Sequence, residues 1–461
     1  MLPDPSSFRD PSGFVFTLNK KVYRAIAPAG LPDFTLLHSS GLYDALVAKK
    51  MLLSHSEIND ASLLPDNLST YKVIQPEEIP FISYPYEWCF SQLKKAALLT
   101  LSIQMEAMKR GMTLKDATAF NIQFRGTQPV FIDTLSFEKY EEGKPWVAYR
   151  QFCQHFLAPL ALMAWKSLSL SSLSRLYLDG IPLDLANTLL PKRALLNSTV
   201  LSHIHFHSRF KAASTTPGTE KRKTSVTLSK GKLTALLQHM EDGIRDLRIK
   251  KMQTAWVDYH EFDNYTEAAK KKKHEVIAGW MEKLKPSSTW DLGCNTGEYS
   301  LLASRHSANV LSMDYDVQCI EELYNKATAQ KTFNILPLTV DLSNPTPAIG
   351  WAGAERKTIP QRGHADLLLA LALVHHLRIG NNTPWNMIAK LFSEWGDNAI
   401  VEFVPREDSQ IQRMLGQRKD IFNDLDDTGF KRAFGEYFDI SDSSPLPDSL
   451  RVLCLLKRKK A

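Results

Sequence analysis

The sequence is poor in the features that mark several protein classes. Its 461 residues hold five cysteines (Cys89, Cys153, Cys294, Cys319, Cys454), widely spaced and without a C-x-x-C pair. That argues against a disulfide framework or a cysteine zinc site and fits a reducing cytoplasm, the expected location. Long apolar runs are missing too. FLAPLALMAW (156–165) and LLLALALV (367–374) fall well short of the ~20 residues that span a bilayer, so no membrane span is expected. MLPDPSSFRDPSGF has no basic stretch leading into an apolar one, which argues against a cleaved secretion signal. Neither sign of charge dominates: 56 basic against 50 acidic residues leave +6, too thin an excess to identify a nucleic-acid binder.

What is present describes a folded protein of more than one domain. Hydrophobic residues make up 44%, charged residues 23% and aromatic residues 10%, and roughly 150 residues per domain predicts two or three domains. The one clear composition break is KAASTTPGTEKRKTSVTLSKGK (211–232), too poor in apolar side chains to offset its ordering entropy. The expected layout is an N-terminal α+β domain over 1–210, a polar linker or loop over 211–232, and a second domain over 233–461. In the first domain, short β-type runs (14–18, 22–26) precede a helix over 88–109 with apolar residues at helical spacing, ended by Gly111. The second alternates strands (288–292, 309–313, 335–340, 365–371, 398–403) with helices (266–284, 298–306, 317–327, 385–395), which predicts a parallel sheet covered on both faces and closed by a hairpin from 437–441 and 451–456.

Open parallel sheets bind ligands beyond the carboxyl ends of their strands. The first strand ends in Asp291-Leu292-Gly293-Cys294-Asn295-Thr296-Gly297, where Gly293 and Gly297 let the backbone approach a ligand and a helix N-terminus offers free N–H groups. Asp314 closes the second strand, positioned to accept both hydroxyls of a ribose. Asp341, with Leu342 after it, follows the third and is placed to meet an adenine amino group. LLLALALVHHL ends in small and apolar residues that suit a pocket floor.

At these residues the second half resembles class I S-adenosylmethionine-dependent methyltransferases. The resemblance implies a seven-stranded Rossmann-like sheet and S-adenosylmethionine as cofactor, bound by Asp291, Gly293, Asn295, Gly297, Asp314, Asp341 and Leu342. A nicotinamide dinucleotide domain would want a third glycine and no carboxylate at 291. The ammonium of a methionine moiety is a better partner for Asp291. His375 and His376, beyond the fourth strand, and Glu402, in VEFVPRED on the fifth, are the candidate catalytic residues, as proton acceptors or for orienting an acceptor. The two-part layout and VEFVPREDSQIQRML also resemble large bacterial methyltransferases grouped with nodulation-type proteins. That implies an O or N acceptor on a small molecule or glycan, with nucleic acid or protein as further options. The alternatives are a non-catalytic protein that keeps the cofactor pocket, and a kinase-like phosphotransferase fused to a methyltransferase fold.

In the first half, Asp116 and Asn121 of DATAFN and Asp133 of FID resemble the catalytic loop and metal-binding Asp of protein-kinase-like folds. No G-x-G-x-x-G loop or V-A-I-K strand accompanies them, Arg24 stands where a lysine would be sought, and Thr134 stands where a glycine would. His203, His205 and His207 would share a face on a strand, but no carboxylate or cysteine lies near, so surface histidines and no metal are expected. The lysine runs at 270–273 and 457–460 read as a solvated helix face and a tail. The sequence carries nothing on oligomeric state.

Overall fold

The computed structural model describes residues 3–58, 71–207, 227–250, 265–416 and 419–460. The chain divides into two compact units, one of residues 1–251 with 348–356, the other of residues 252–347 with 357–461.

The first unit opens with strands β1 (Gly13–Leu18), β2 (Lys21–Ile26), β3 (His55–Ile58) and β4 (Lys72–Pro76), antiparallel in the order β1-β2-β4-β3. Asn19 and Lys20, both at positive φ, close the first hairpin, the twist that two-residue turns require. Phe16, Ala25 and Val73 are buried together, as are Ile26, Phe34, Ile74 and Leu135. Helix Phe90–Lys109 follows, its first turn closed by Gln92 Oε1 accepting from Cys89 N at 3.0 Å. Beyond it lie β5 (Met112–Leu114), the hairpin β6 (Ile122–Arg125) and β7 (Gln128–Phe131), and β8 (Phe137–Lys139), which pairs with β5. Short helices make up most of residues 149–206.

Two expectations change here. Helix Lys230–Asp246 buries Leu233, Leu237, Met240 and Ile244 along one face, and Lys94 Nζ donates to the carbonyls of Arg245 and Leu247 at 2.7 and 2.8 Å. It therefore belongs with the first unit rather than with a domain starting at 233. Residues 211–226 of the expected linker lie outside the described residues. The three histidines fall on a π-helical stretch, Leu201–Phe206 and the next residue, not a strand. His203 is buried, with Nδ1 2.7 Å from the Tyr149 hydroxyl and Nε2 3.1 Å from His239 Nδ1. His205 meets Asn187. A helical backbone turns alternate side chains to different surroundings, so the shared face disappears.

The second unit is a seven-stranded sheet of β9 (Ser288–Leu292), β10 (Asn309–Asp314), β11 (Ile335–Thr339), β12 (Ala365–Ala370), β13 (Gly396–Phe403), β14 (Phe438–Pro445) and β15 (Val452–Arg458). The order is β11-β10-β9-β12-β13-β15-β14. The first five strands are parallel, β15 runs antiparallel to β13, and β14 pairs with β15 at the edge. Leu367, Leu369, Ile400, Leu453 and Leu455 of the sheet pack with Ile277, Trp280 and Met281 of helix Glu267–Leu284. Strand order reverses between β9 and β12, so the DLGCNTG turn sits at the topological switch point where such sheets bind ligands. Among the described residues no helix is long and apolar enough to cross a membrane.

Candidate functional site

The turn after β9 is held in a shape that side chains would spoil. Gly293 and Gly297 have φ of 71° and 83°. A Cβ on Gly293 would stand 2.9 Å from Leu373 Cδ1, and one on Gly297 would overlap Leu323. The N–H groups of Gly293 and Cys294 both donate to the Met313 carbonyl (2.8 and 3.0 Å), tying the turn to β10. At the end of β10, Asp314 Oδ2 accepts from Asn295 N and Oδ1 from Asp316 N, each at 2.9 Å. The expected contacts Gly293, Asn295, Gly297 and Asp314 are thus drawn together, and each Asp314 oxygen keeps a lone pair for a further donor.

Asp291 lies deeper. Its Oδ2 accepts from Ser300 Oγ at 2.6 Å, and Ser312 Oγ donates to Ser300 at 2.8 Å. Burial pushes its pKa up to about 7, with the Asp314 charge adding to the effect while the Ser300 bond and Lys273 oppose it. Burial likewise raises Asp314 to about 6, against the backbone bonds that favour its charge. Two buried carboxylates facing the same turn favour a cationic ligand. Asp341 differs: it is exposed, and its Oδ1 accepts from Ser343 N and Oγ at 2.8 and 2.6 Å, a local Asx turn. Leu342 beside it is half-buried.

His375 and His376 lie with ring centroids 4.2 Å apart and planes tilted by 39°, just past Ala372, which holds a φ of 49°. Burial pushes His375 well below its ordinary value and His376 to about 4, so both rings are neutral at pH 7. His375 is enclosed, with Nδ1 unpartnered.

Glu402 departs from its expected role. It is 0% exposed, with Oε2 accepting from Lys273 Nζ at 2.7 Å and Oε1 from the Tyr265 hydroxyl. Arg451 Nη1 bonds that hydroxyl at 2.5 Å and lies 3.7 Å from Glu402 Oε1, while its Nε reaches Asp408 at 2.8 Å. Burial would raise the Glu402 pKa, but Lys273 and Arg451 outweigh it and hold the carboxyl below its ordinary value. Both oxygens are committed to the protein itself, so Glu402 braces the sheet rather than facing an acceptor. The lysine run expected to be solvated supplies a buried member: Lys273 follows Ala269 and precedes Ile277 and Met281 on one helix stripe. That i, i+4 spacing was the signal available in the sequence; Tyr265, Asp408 and Arg451 carried none.

In the first unit, Asp116, Asn121 and Asp133 do converge. Asp133 Oδ1 pairs with Arg24 and accepts from Leu135 N at 3.1 Å, and its Oδ2 accepts from Ser136 Oγ. Asn121 Nδ2 donates to the same Ser136 hydroxyl at 3.0 Å. Asp116 accepts from Thr118 N at 3.0 Å; burial raises its pKa, with the Asp133 charge acting in the same direction.

No known family profile matches the chain. Nodulation protein NoeA of Rhizobium meliloti (strain 1021) is 32% identical over 461 residues, covering 98% of this chain and 96% of that protein. The chain belongs to the NoeA family. Solved structures similar to part of it include magnesium protoporphyrin IX methyltransferase (ChlM) from Synechocystis PCC 6803 with bound SAH, 16% identical, over 41% of this chain and 83% of that one at a TM-score of 0.31. Another is the bifunctional kinase-methyltransferase WbdD, 14% identical, over 45% of this chain and 43% of that one at a TM-score of 0.30. In this NoeA-family chain the second unit has the class I methyltransferase fold anticipated from DLGCNTG, as its own strand order and switch point give it.

Proposed function

We propose that the second unit binds S-adenosylmethionine and transfers its methyl group to an oxygen or nitrogen of a small-molecule or glycan acceptor selected by the first unit. The observation that carries this reading is the meeting of a glycine turn at positive φ with two buried carboxylates at the switch point. The residues fit the cofactor: Asp314 has lone pairs for two ribose hydroxyls, the turn lacks the Cβ atoms that would block a backbone approach, and Asp291 provides charge for the ammonium. Asp341 and Leu342, after the third strand, would be the residues to meet the adenine. The bound cofactor supplies an activated methyl group, so the protein's part is in-line alignment and exclusion of water. His376, partly exposed, is the group placed to orient an acceptor rather than to take its proton, because burial and Arg451 disfavour the imidazolium that would form; His375 packs behind it. The test is incubation with methyl-labelled cofactor and fractionated metabolite and glycan extracts. Label should enter an acceptor fraction with the wild type and not with Asp314→Ala. Label in no fraction, with cofactor binding intact, would favour the non-catalytic alternative.

Cofactor affinity should rise with pH. Asp291 and Asp314 titrate near 7 and 6, and only their ionised forms attract a cation, so binding should tighten from about pH 5 to about pH 8. Stability of the unliganded chain should move the other way: carboxyls raised on folding stabilise it fully below their unfolded value of about 3.9, and that contribution is lost as pH rises through 6 and 7. Titrations at several pH values check the first trend and thermal unfolding the second; a flat affinity profile would contradict the assignment.

Phosphotransfer is not favoured. Arg24 holds Asp133, and Asn19–Lys20 joins β1 to β2 too tightly to leave a glycine loop for phosphates. Phosphate release from ATP with magnesium should stay at background, and turnover that vanishes in Asp133→Ala would overturn this.

A further inference from the structure

Asp291 ends a chain of buried hydroxyls within the second unit. On the parallel pair β9–β10 it stands opposite Ser312, so the two side chains share one face of the sheet. Helix Glu298–Ala303 brings Ser300 to that face. Ser300 and Ser312 are both 0% exposed. A hydroxyl in such a place loses its water and is tolerated only when it is paired, whereas an alanine there would carry no such cost.

The pairing has a direction. Ser312 Oγ donates to Ser300 Oγ at 2.8 Å, and Ser300 Oγ gives its own proton to Asp291 Oδ2 at 2.6 Å. Both hydroxyl protons therefore point toward the carboxylate, and hydroxyls aligned in series polarise one another. This arrangement suits a charged Asp291, because a proton on Oδ2 would set a second donor against Ser300. Hydrogen bonding leaves the other oxygen open: among the described residues no donor reaches Oδ1.

The other groups around Asp291 act in both directions. Burial opposes its charge most strongly and Asp314, at the end of β10, opposes it further; of the two groups that favour it, Ser300 acts more strongly than Lys273 of helix Glu267–Leu284. On β12 its neighbour is Leu369, flanked by Leu368. The Cys294 thiol in the turn keeps its proton, since burial and then the Asp291 charge push its pKa well up. We infer that Ser300 and Ser312 are positioning residues for the ammonium of the cofactor: their relay pins Oδ2 of Asp291, holds the carboxylate in its charged form and leaves Oδ1 for the ligand. Both act through Asp291, and the inference rests on the cofactor site proposed above.

Calorimetric titration of the full chain with S-adenosylhomocysteine, which carries the same ammonium, tests it in the wild type, Ser300→Ala and Ser312→Ala from about pH 6 to about pH 9. Ser300→Ala should bind about tenfold more weakly near pH 7, because losing a bond to the charged form leaves less carboxylate to meet the cation. The gap should narrow toward about pH 9, where Asp291 ionises unaided. Ser312→Ala keeps the bonded hydroxyl and loses only its alignment, so it should show a smaller loss with the same pH trend. Unchanged affinity in a folded Ser300→Ala, or a loss of equal size at every pH, would overturn the inference. If Ser300→Ala does not fold, Ser312→Ala decides, and a profile superimposable on the wild type would overturn it. A wild-type chain that binds no S-adenosylhomocysteine at any pH would overturn the cofactor site itself and this inference with it, an outcome distinct from a wild type that binds and variants that match it.

Discussion

Replacing Glu402 by leucine should destabilise the second unit by about 3–5 kcal/mol, the usual cost of removing one partner from a buried ion pair and stranding the other. Lys273 and Arg451 would remain buried, and of the described carboxylates pairing with them only Asp408 would be left, on Arg451. Denaturant unfolding of the wild type and variant measures the loss. The double variant Glu402→Leu, Lys273→Met should recover part of it, since it removes a stranded charge. A Glu402 that served the chemistry would give the opposite pattern, with stability near wild type and methyl transfer reduced. That outcome would return Glu402 to the catalytic role expected from its position in VEFVPRED.

Asp314→Ala should lower cofactor affinity at least tenfold and by more if the turn relaxes. Hydrogen bonds to a charged acceptor are worth ~1.5–3 kcal/mol each, and every 1.4 kcal/mol is about tenfold in binding. The carboxylate also anchors the N–H groups of Asn295 and Asp316, so its loss removes a brace from the turn as well as a ligand contact. Asp314→Asn separates the two effects. The amide keeps one oxygen for the backbone but carries no charge, so its affinity should fall less and lose the part of the pH dependence centred near 6. Calorimetry on folded variants decides it, and equal affinities across all three proteins would remove Asp314 from the site.

The methyltransferase sheet was legible because its signals are local. Asp291, Asp314 and the glycines at 293 and 297 stand at strand ends, where β-rich runs give way to turn residues, and the alternation of strand and helix fixes the layers. What was not legible depends on partners distant in sequence. Glu402 on β13 reads equally as an acid that orients an acceptor or as a satisfied carboxylate at the sheet edge until Lys273 and Arg451 are brought to it from 129 and 49 residues away. Lys273 was masked by its neighbours Lys271 and Lys272, which are exposed as a charged run suggests. The stripe Leu233, Leu237, Met240 and Ile244 announces an amphipathic helix but not its docking partner, so nothing in the sequence assigns this helix to the first unit. The Arg24–Asp133 pair, 109 residues apart, has no sequence signal beyond the arginine standing where a lysine was sought.

Isothermal titration of the purified chain with S-adenosylmethionine asks whether the glycine turn and its buried carboxylates form a cofactor site. Saturable binding to a single site is expected, tightening as pH is raised from about 5 to about 8 and weakening at least tenfold in Asp314→Ala. Heats indistinguishable from dilution across that pH range, from a chain whose unfolding transition shows it to be folded, would contradict it.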